Sequence, residues 1–166
     1  MKKTILTVLI GLMACFFIGE VVAQSPAPNT KLRNIKGGKK KLNSFKGKVV
    51  YVDFWASWCA PCFTAMPSLT SLKQEFGDDL VIVTVNVDKS KKAWKKGYKK
   101  GRPEGIALWA GSGGQDSRIA KELFVFALPQ YVLIDQNGNV VDNVAAGPYQ
   151  VKDEIRNLIQ GNSASK

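Results

Sequence analysis

The chain alternates between apolar runs and segments of helical periodicity, and this pattern predicts its strands and helices. Residues 49–55 and 80–87 are nearly continuous in apolar, β-favouring residues, which is typical of strands covered on both faces. Residues 130–135 and 139–144 flank Asn137-Gly138, and an Asn-Gly pair between two such runs predicts a β-hairpin. Apolar residues at helical spacing predict four helices, over residues 59–76, 91–100, 116–126 and 151–159.

The order of these elements predicts an α/β fold with a mixed β-sheet flanked by helices. Strands that are connected by helices are expected to be parallel, and the last two strands should form an antiparallel pair. An N-terminal β-hairpin is predicted in residues 32–42, with its turn at Gly37-Gly38, and residues 24–31 are expected to be a flexible leader. The chain of 166 residues is long enough for one packed core, so we expect a single domain over residues 32–166.

Residues 1–23 have the pattern of a secretory signal peptide. Lys2 and Lys3 precede an apolar run, residues 4–18, and small residues lead up to a cleavage site after Ala23. An uncleaved membrane anchor is a weaker alternative, because glycines interrupt the apolar run and its length is marginal. A lipoprotein signal that ends at residue 14 and leaves a membrane-anchored, lipidated Cys15 is a second alternative. We therefore expect an exported, periplasmic protein.

Cleavage after Ala23 leaves Cys59 and Cys62 as the only cysteines, in a chain that contains no histidine. Export permits a disulfide between them, but a bridge across two residues closes too small a loop to add much stability. A zinc site needs four ligands, and two cysteines without histidine would have to recruit two carboxylates. A Cys-His nucleophile of the protease type is excluded by the missing histidine. The pair thus favours thiol–disulfide chemistry, with no metal and no cofactor besides the redox-active disulfide.

A helix that begins at Cys59 would place its thiol among backbone N–H groups that lack partners within the helix. These groups and the helix dipole favour a thiolate, and such surroundings lower a cysteine pKa from about 8.5 to roughly 3.5–7.5. Ala60 and Pro61 form the start of the helix, where the missing N–H of proline has no cost. Cys62 lies one turn further along nearly the same face. We therefore assign Cys59 as the attacking sulfur and Cys62 as the resolving sulfur.

Asp53 stands in the middle of the apolar run 49–55, where an unpaired carboxylate would cost several kcal/mol or would stay protonated with a raised pKa. A buried carboxyl near Cys62 could accept the proton of a buried thiol, directly or through a water molecule. The simpler interpretation is a strand residue that is hydrogen-bonded to the backbone. Because the chain has no histidine, we favour Asp53 as the base.

The sequence V-D-F-W-A-S-W-C-A-P-C at residues 52–62 closely resembles the active site of the thioredoxin superfamily. The exported start, the Met66-Pro67 pair within the predicted helix, the hairpin at residues 134–138 and a long central insert over residues 89–126 resemble its TlpA/ResA branch. The resemblance covers residues 30–160. It implies a thioredoxin fold and an enzyme that carries out thiol–disulfide exchange.

The resemblance also implies a cis proline packed against the cysteines, and Pro129, which follows Leu128, matches that position. Substrate would lie in a groove beside Trp58 and Pro129. The backbone of Leu128 would pair with the substrate as an added strand.

In the implied cycle the Cys59 thiolate attacks a substrate disulfide, and Asp53 then helps to deprotonate Cys62, which releases the reduced substrate. Two features depart from the TlpA/ResA pattern. Many members have a glutamate three residues after the second cysteine, where this chain has Ala65, so the proton relay resembles that of thioredoxin itself. Residues 126–129 lack the Gly-rich approach and following Glu of cytochrome c maturation members, which weakens a dedicated role with apocytochrome.

The net charge of +11 is concentrated in part of the chain, since residues 89–102 carry eight Lys or Arg and no Asp or Glu. The simpler interpretation is a solvated helix face, with Trp94 and Tyr98 as its buried stripe. The alternative is weak electrostatic docking to an acidic partner or an anionic membrane surface. The residues available for such docking are Lys91, Lys92, Lys95, Lys96, Lys99 and Lys100.

Three functions compete. The first is an exported protein-disulfide reductase, which acts on protein disulfide or thiol substrates and is regenerated by a membrane thiol donor. The second is an oxidase that makes disulfides, because Ala60-Pro61 does not decide the direction of electron flow. The third is a non-catalytic binding domain that uses the basic 89–102 helix. We expect a monomer that does not bind nucleic acid.

Overall fold

Eight strands form one mixed sheet in the order β1-β8-β7-β4-β5-β6-β2-β3. The computed structural model describes residues 24–161. Strands β4, β5 and β6 are parallel, and every other neighbouring pair is antiparallel. The strands are β1 (Ser25–Pro26), β2 (Leu32–Asn34), β3 (Lys39–Lys40), β4 (Val49–Trp55), β5 (Leu80–Asn86), β6 (Ile106–Trp109), β7 (Gln130–Ile134) and β8 (Asn139–Ala145). The predicted mixed sheet, the N-terminal hairpin and the antiparallel pair at the end are confirmed.

In the described part of the chain, residues 24–161, four α-helices accompany the sheet: α1 (Ala60–Phe76), α2 (Lys91–Gly101), α3 (Arg118–Glu122) and α4 (Lys152–Ile159). Pro67 lies inside α1, which nevertheless continues to Phe76. Helices α2 and α3, together with β6, make up the predicted central insert. Within residues 24–161 no helix combines the length and apolar character that crossing a membrane requires.

Every residue of β4 is buried, because apolar side chains cover both of its faces. Val50 and Val52 belong to the core cluster that also contains both cysteines. Val49 and Tyr51 belong to a second cluster, which is completed by side chains of α1 and α4, among them Leu69 and Ile155. The alternation of side chains along a strand assigns these two sets to opposite faces of the sheet. The central strand therefore lies between two cores, and its carboxyl end leads directly to the cysteines.

The prediction of a flexible leader over residues 24–31 is wrong for its first part. Ser25 and Pro26 pair with Val140 and Asn139 and form the edge strand β1. Ala27 is buried, and its N–H donates to the carbonyl of Gly138 at 2.8 Å. The strand forms because β8 has a free edge whose backbone groups it pairs with. The predicted signal peptide and Cys15 lie outside the described residues.

The helix predicted over residues 116–126 is shorter than expected, since α3 ends at Glu122. Leu123 and Val125 are both buried, and two residues that are two apart cannot face the same core from one helix. The chain therefore leaves the helix, and Phe124 between them adopts a left-handed φ of 53°. Its side chain is exposed as a result.

Gly105, in the turn before β6, offers a test of this packing. Its φ is +89°, and a methyl group at its Cα would overlap with the backbone carbonyl of Ile82 in β5. Gly37 has a comparable φ of +104° but open space around it. Gly105→Ala should lower the free energy of unfolding by about 2–4 kcal/mol and Gly37→Ala by about 1–2 kcal/mol, because only the first adds a steric overlap to the unfavourable φ. Urea unfolding of both variants measures the difference, and equal losses would contradict the close approach.

Candidate active site

Cys59, at the end of the loop after β4, forms a disulfide with Cys62 in the first turn of α1. Cys59 is the N-cap residue, with Pro61 in the first turn, and its Sγ accepts a hydrogen bond from the N–H of Cys62 at 3.3 Å. The Cα atoms of the two cysteines are 5.4 Å apart. The disulfide therefore lies beside the backbone N–H groups at the amino end of α1, a 17-residue helix. The predicted helix start at Ala60 and Pro61 is confirmed, and both residues are exposed.

The loop before the cysteines is held by a buried carboxylate that the sequence analysis missed. Asp88 accepts hydrogen bonds from the N–H of Ser57 at 3.0 Å, from the hydroxyl of Ser57 at 2.9 Å and from the side chain of Asn86 at 2.8 Å. The backbone carbonyl of Asp88 also accepts from the indole N–H of Trp109 at 2.7 Å. Four donors thus fix the residue that anchors Ser57, two positions before Cys59. The sequence could have indicated Asp88, because this carboxylate closely follows β5, a buried strand that is parallel to β4.

Asp53 is buried within β4, and its environment differs from that of Asp88. Its Oδ1 has no hydrogen-bond partner within residues 24–161. Burial raises the pKa of Asp53 to about 7. Asp53 pairs with Tyr131 across β4 and β7, and the Tyr131 ring stacks on that of Tyr51. Burial raises the pKa of both tyrosines, and the charge of Asp53 raises both further. A buried carboxyl with an unpartnered oxygen and a pKa of about 7 can gain or lose its proton near neutral pH.

Asp53 also lies on the face of the sheet that α1 covers. It is two residues from Tyr51, so both side chains point the same way, and Tyr51 shares its core cluster with Leu69 and Leu72 of α1. Cys62 is the third residue of the same helix. The carboxyl therefore lies on the side of the sheet that α1 covers with Leu69 and Leu72, while Cys62 itself belongs to the core cluster that contains Val50 and Val52.

Leu128 and Pro129 lie beside the cysteines because β7 is antiparallel to β4. Gln130 pairs with Phe54, so the residues before Gln130 reach the same edge of the sheet as the loop after β4. The peptide bond between Leu128 and Pro129 is cis, as the resemblance implied. Leu128 packs against the core cluster that contains both cysteines. The structure thus brings these two residues to the redox pair.

Exposed apolar side chains gather at this same edge. Trp58, the residue before Cys59, is 63% exposed, and Phe126 before the cis proline is 80% exposed. The loop that carries Phe124 and Phe126 is held by Gln130, a buried residue that the sequence analysis did not single out. The side chain of Gln130 accepts from the N–H of Phe126 at 3.1 Å and donates to the carbonyls of Phe124 and Asn143 at 3.0 and 2.8 Å. Trp58 and Phe126 therefore supply exposed apolar surface in the segments just before Cys59 and before the cis proline.

The lysines of α2 are all exposed, while Trp94 is buried and Tyr98 is half-buried. The predicted buried stripe is confirmed, and docking by these lysines stays a prediction. Within residues 24–161 no group of three or more His, Cys, Asp or Glu side chains could hold a metal ion.

Comparisons with known proteins agree with this geometry. A family model described as thioredoxin-like matches residues 47–140. The thiol-disulfide oxidoreductase ResA of Bacillus thuringiensis subsp. konkukian is 31% identical over 138 residues, covering 81% of this chain and 75% of ResA. The thioredoxin-like protein YneN of Bacillus subtilis is 40% identical over 70 residues, which are 42% of this chain and 41% of YneN.

Solved structures show the same relationship. The crystal structure of a thiol-disulfide oxidoreductase from Bacteroides vulgatus has a TM-score of 0.69 at 29% identity, covering 86% of this chain and 99% of that one. The thiol:disulfide interchange protein DsbE of Chlorobium tepidum has a TM-score of 0.68 at 26% identity, covering 84% and 96% of the two chains. With its cysteine pair at a helix amino end beside a cis proline, the chain belongs to the thioredoxin-like family, among the thiol–disulfide oxidoreductases of the TlpA/ResA type.

Proposed function

We propose that this thiol–disulfide oxidoreductase is exported and reduces disulfides in protein substrates. The observation that carries the proposal is the position of Cys59, whose sulfur caps α1 and accepts the N–H of Cys62. In the reduced protein the same N–H groups and the helix dipole would stabilise a thiolate at Cys59. Cys62 is buried deeper, with 1% of its surface exposed, and is suited to the second step.

The reaction then has two displacements. The Cys59 thiolate attacks one sulfur of a substrate disulfide, the substrate S–S bond breaks, and the departing thiolate takes up a proton. The resulting mixed disulfide is attacked by the Cys62 thiolate, which forms the Cys59–Cys62 disulfide and releases the second substrate thiol. The substrate gains two electrons from the protein and two protons. One proton is lost by Cys62 and the other comes from solvent, because Cys59 begins the cycle as a thiolate.

Asp53 supports the second displacement of this reaction. That step requires removal of a proton from a buried thiol, and a buried carboxyl with a pKa of about 7 can accept it near neutral pH. In the oxidising direction the same carboxyl would return a proton to the departing Cys62 thiolate, so Asp53 serves thiol–disulfide exchange in either direction. The direction of net electron flow is set by the reduction potential of the Cys59–Cys62 pair.

The substrate would lie against Trp58 and the loop that contains Leu128 and Pro129. Leu128 precedes β7, so its backbone can pair with an extended substrate segment as an added strand. Trp58 supplies an exposed apolar contact next to Cys59. Such contacts fix the substrate sulfur in line with Cys59 and do not depend on the substrate sequence.

The signal-like pattern of residues 1–23 supports a periplasmic location, with anchoring through a lipidated Cys15 as the alternative. A reductase in an oxidising compartment needs electrons from elsewhere. A membrane thiol donor would reduce the Cys59–Cys62 disulfide after each turnover. The protein would act as a monomer, with no cofactor other than this disulfide.

Cys59→Ser should abolish reduction of the insulin disulfides, because the attacking sulfur is lost, and turnover would be followed by insulin turbidity with dithiothreitol as the donor. Cys62→Ala keeps the first attack but cannot resolve the mixed disulfide. That variant should accumulate substrate linked to Cys59, which intact-mass spectrometry detects. Retained insulin reduction by Cys59→Ser would instead favour the non-catalytic binding domain. The absence of adducts with Cys62→Ala would contradict the two-step mechanism.

Asp53→Asn should slow the resolving step between pH 6 and 8 and leave the first attack unchanged, because only Cys62 loses its proton acceptor.

Asp53→Asn should also change the free energy of unfolding in a pH-dependent way. The folded pKa of about 7 lies above the unfolded value of 3.8, so the native protein loses stability as pH rises from about 4 to about 7. The oxidised Asp53→Asn variant should therefore be more stable than wild type at pH 8, by about 4 kcal/mol at most, and similar to it at pH 4.

Stopped-flow kinetics and urea unfolding at both pH values would measure these effects. Asp79→Asn is the control for net charge, since Asp79 is exposed. If Asp53→Asn behaves as Asp79→Asn does in both assays, Asp53 is an ordinary strand residue.

The reduction potential of the Cys59–Cys62 pair separates the two directions of electron flow. We expect a value close to that of thioredoxin, about −270 mV, because the proposed role is reduction. A value near about −120 mV would instead assign the protein as an oxidase. Equilibration with defined glutathione or dithiothreitol buffers, followed by alkylation and mass spectrometry, gives the potential directly.

A further inference from the structure

Helix α2 carries more positive charge than its stability accounts for, because only Lys99 and Lys100 lie in the last turn, where the helix dipole favours cations. Its six lysines, all exposed, form the basic face: Lys91, Lys92, Lys95, Lys96, Lys99 and Lys100. They make four pairs of like charges at i,i+4 spacing, and such pairs destabilise a helix. The first turn contains no acidic residue, although carboxylates are favoured at that end. Within residues 24–161 none of the six forms a salt bridge.

The buried side of α2 packs closely against the segment that carries the cysteines. A Cβ atom at Gly97 would lie 2.9 Å from the Cβ of Ser57 and 3.1 Å from the ring of Trp55, so only glycine permits this approach. One turn later, a Cβ at Gly101 would meet the side chains of Met66 and Phe63 in α1. The helix is thus fixed against both ends of the redox loop.

Lys100 connects the basic face to the cysteine pair. Its ammonium nitrogen lies 4.8 Å from the centre of the Phe63 ring, and Phe63 directly follows Cys62. Lys96 lies one turn before Lys100 on the same side of the helix. Lys91 and Lys95 have the same spacing but lie about 140° away around the helix axis. The basic face therefore has a side near the redox pair and a side away from it.

We propose that the side of the basic face that carries Lys96 and Lys100 is a docking surface for protein substrates that carry acidic residues next to the disulfide to be reduced. The inference rests on the proposed function and adds a substrate class to it. Positive potential beside Cys59 would raise the encounter rate of acidic substrates and orient their disulfides toward the attacking sulfur. Reduction then follows the two displacements given above, with electrons from the reduced cysteine pair.

A protein partner fits this surface better than an anionic membrane. Helices that bind bilayers insert an apolar face among the lipids. The apolar residues of α2 pack inside the protein and are not available to enter a bilayer. Trp94 is fully buried and stacks on Trp109, with ring centroids 5.8 Å apart, and Tyr98 packs against the core. A bilayer on the six lysines would also lie against the redox loop and obstruct it.

The experiment compares two charge-removing variants of equal composition. Lys96→Gln with Lys100→Gln removes the two lysines near the redox pair, and Lys91→Gln with Lys95→Gln is the matched control. Each variant loses two charges and relieves two i,i+4 repulsions within the same helix. A second basic segment, residues 31–48 with eight Lys or Arg and no Asp or Glu, is left unchanged in all proteins.

Each protein is reduced beforehand and mixed in a stopped-flow instrument with a disulfide-linked peptide pair that bears a fluorophore and a quencher. One pair has aspartates around the disulfide, and the other has asparagines at the same positions. The measured quantity is the ratio of the second-order rate constants for the acidic and the neutral pair. Because each protein is compared with itself, a general loss of activity does not change this ratio.

Wild type should prefer the acidic pair by about tenfold at roughly 20 mM ionic strength and lose the preference at about 0.5 M, where the charges are screened. The Lys96/Lys100 variant should lose most of this preference, and the control variant should keep most of it. A ratio near one for wild type, or equal ratios for both variants, would overturn docking while leaving the proposed function intact. Loss of binding to phosphatidylglycerol vesicles without any change in the ratio would overturn it in favour of a membrane surface. Failure to reduce either pair would overturn the proposed function as well.

Discussion

The chemistry proposed for this protein depends on one hydrogen bond, from the N–H of Cys62 to the sulfur of Cys59. That contact makes Cys59 the cap of a 17-residue helix and brings its thiol to the positive end of the helix dipole. The sheet determines where the cap lies, because β4 is buried along its whole length and cannot shift without moving both cores. The buried strand β4 therefore fixes the position of the Cys59 sulfur. The antiparallel strand β7 places the cis proline, Pro129, at the same end of the sheet.

Two buried carboxyl groups near this point have different roles, and their hydrogen bonds explain why. Asp88 accepts three donors through its side chain and so remains a stable structural anchor for Ser57 and the redox loop. Asp53 has one oxygen without a partner and a pKa raised to about 7. A structural carboxylate would be expected to have its hydrogen bonds completed. The unpartnered oxygen and the raised pKa are unfavourable for folding above neutral pH, and they are what the proposed proton relay to Cys62 needs.

Helix α2 shows a similar conflict between stability and activity. Its repeated lysines repel one another, yet Gly97 and Gly101 allow the helix to lie closely against the redox loop. The lysines and the glycines both lower the stability of α2, since like charges repel and glycine lowers helix propensity. Residues that weaken an element but bring its charge next to the reacting sulfur are expected where binding, and not folding, determines the sequence.

The sequence by itself determined β4, β5, β7 and β8, the N-terminal and final hairpins, most of α1 and α2, and the cysteine pair with its helix start. These features follow from short-range periodicity and from the chemistry of neighbouring residues, so a local pattern is sufficient. Only the tertiary structure decided the pairing of Ser25 and Pro26 with β8, the early end of α3, and the contacts of Asp88 and Gln130. Each of these depends on groups that are far apart in the chain, such as Ser57 and Asp88, which are separated by 31 positions. Local patterns contain no information about which free edge or buried donor the folded chain will bring within reach.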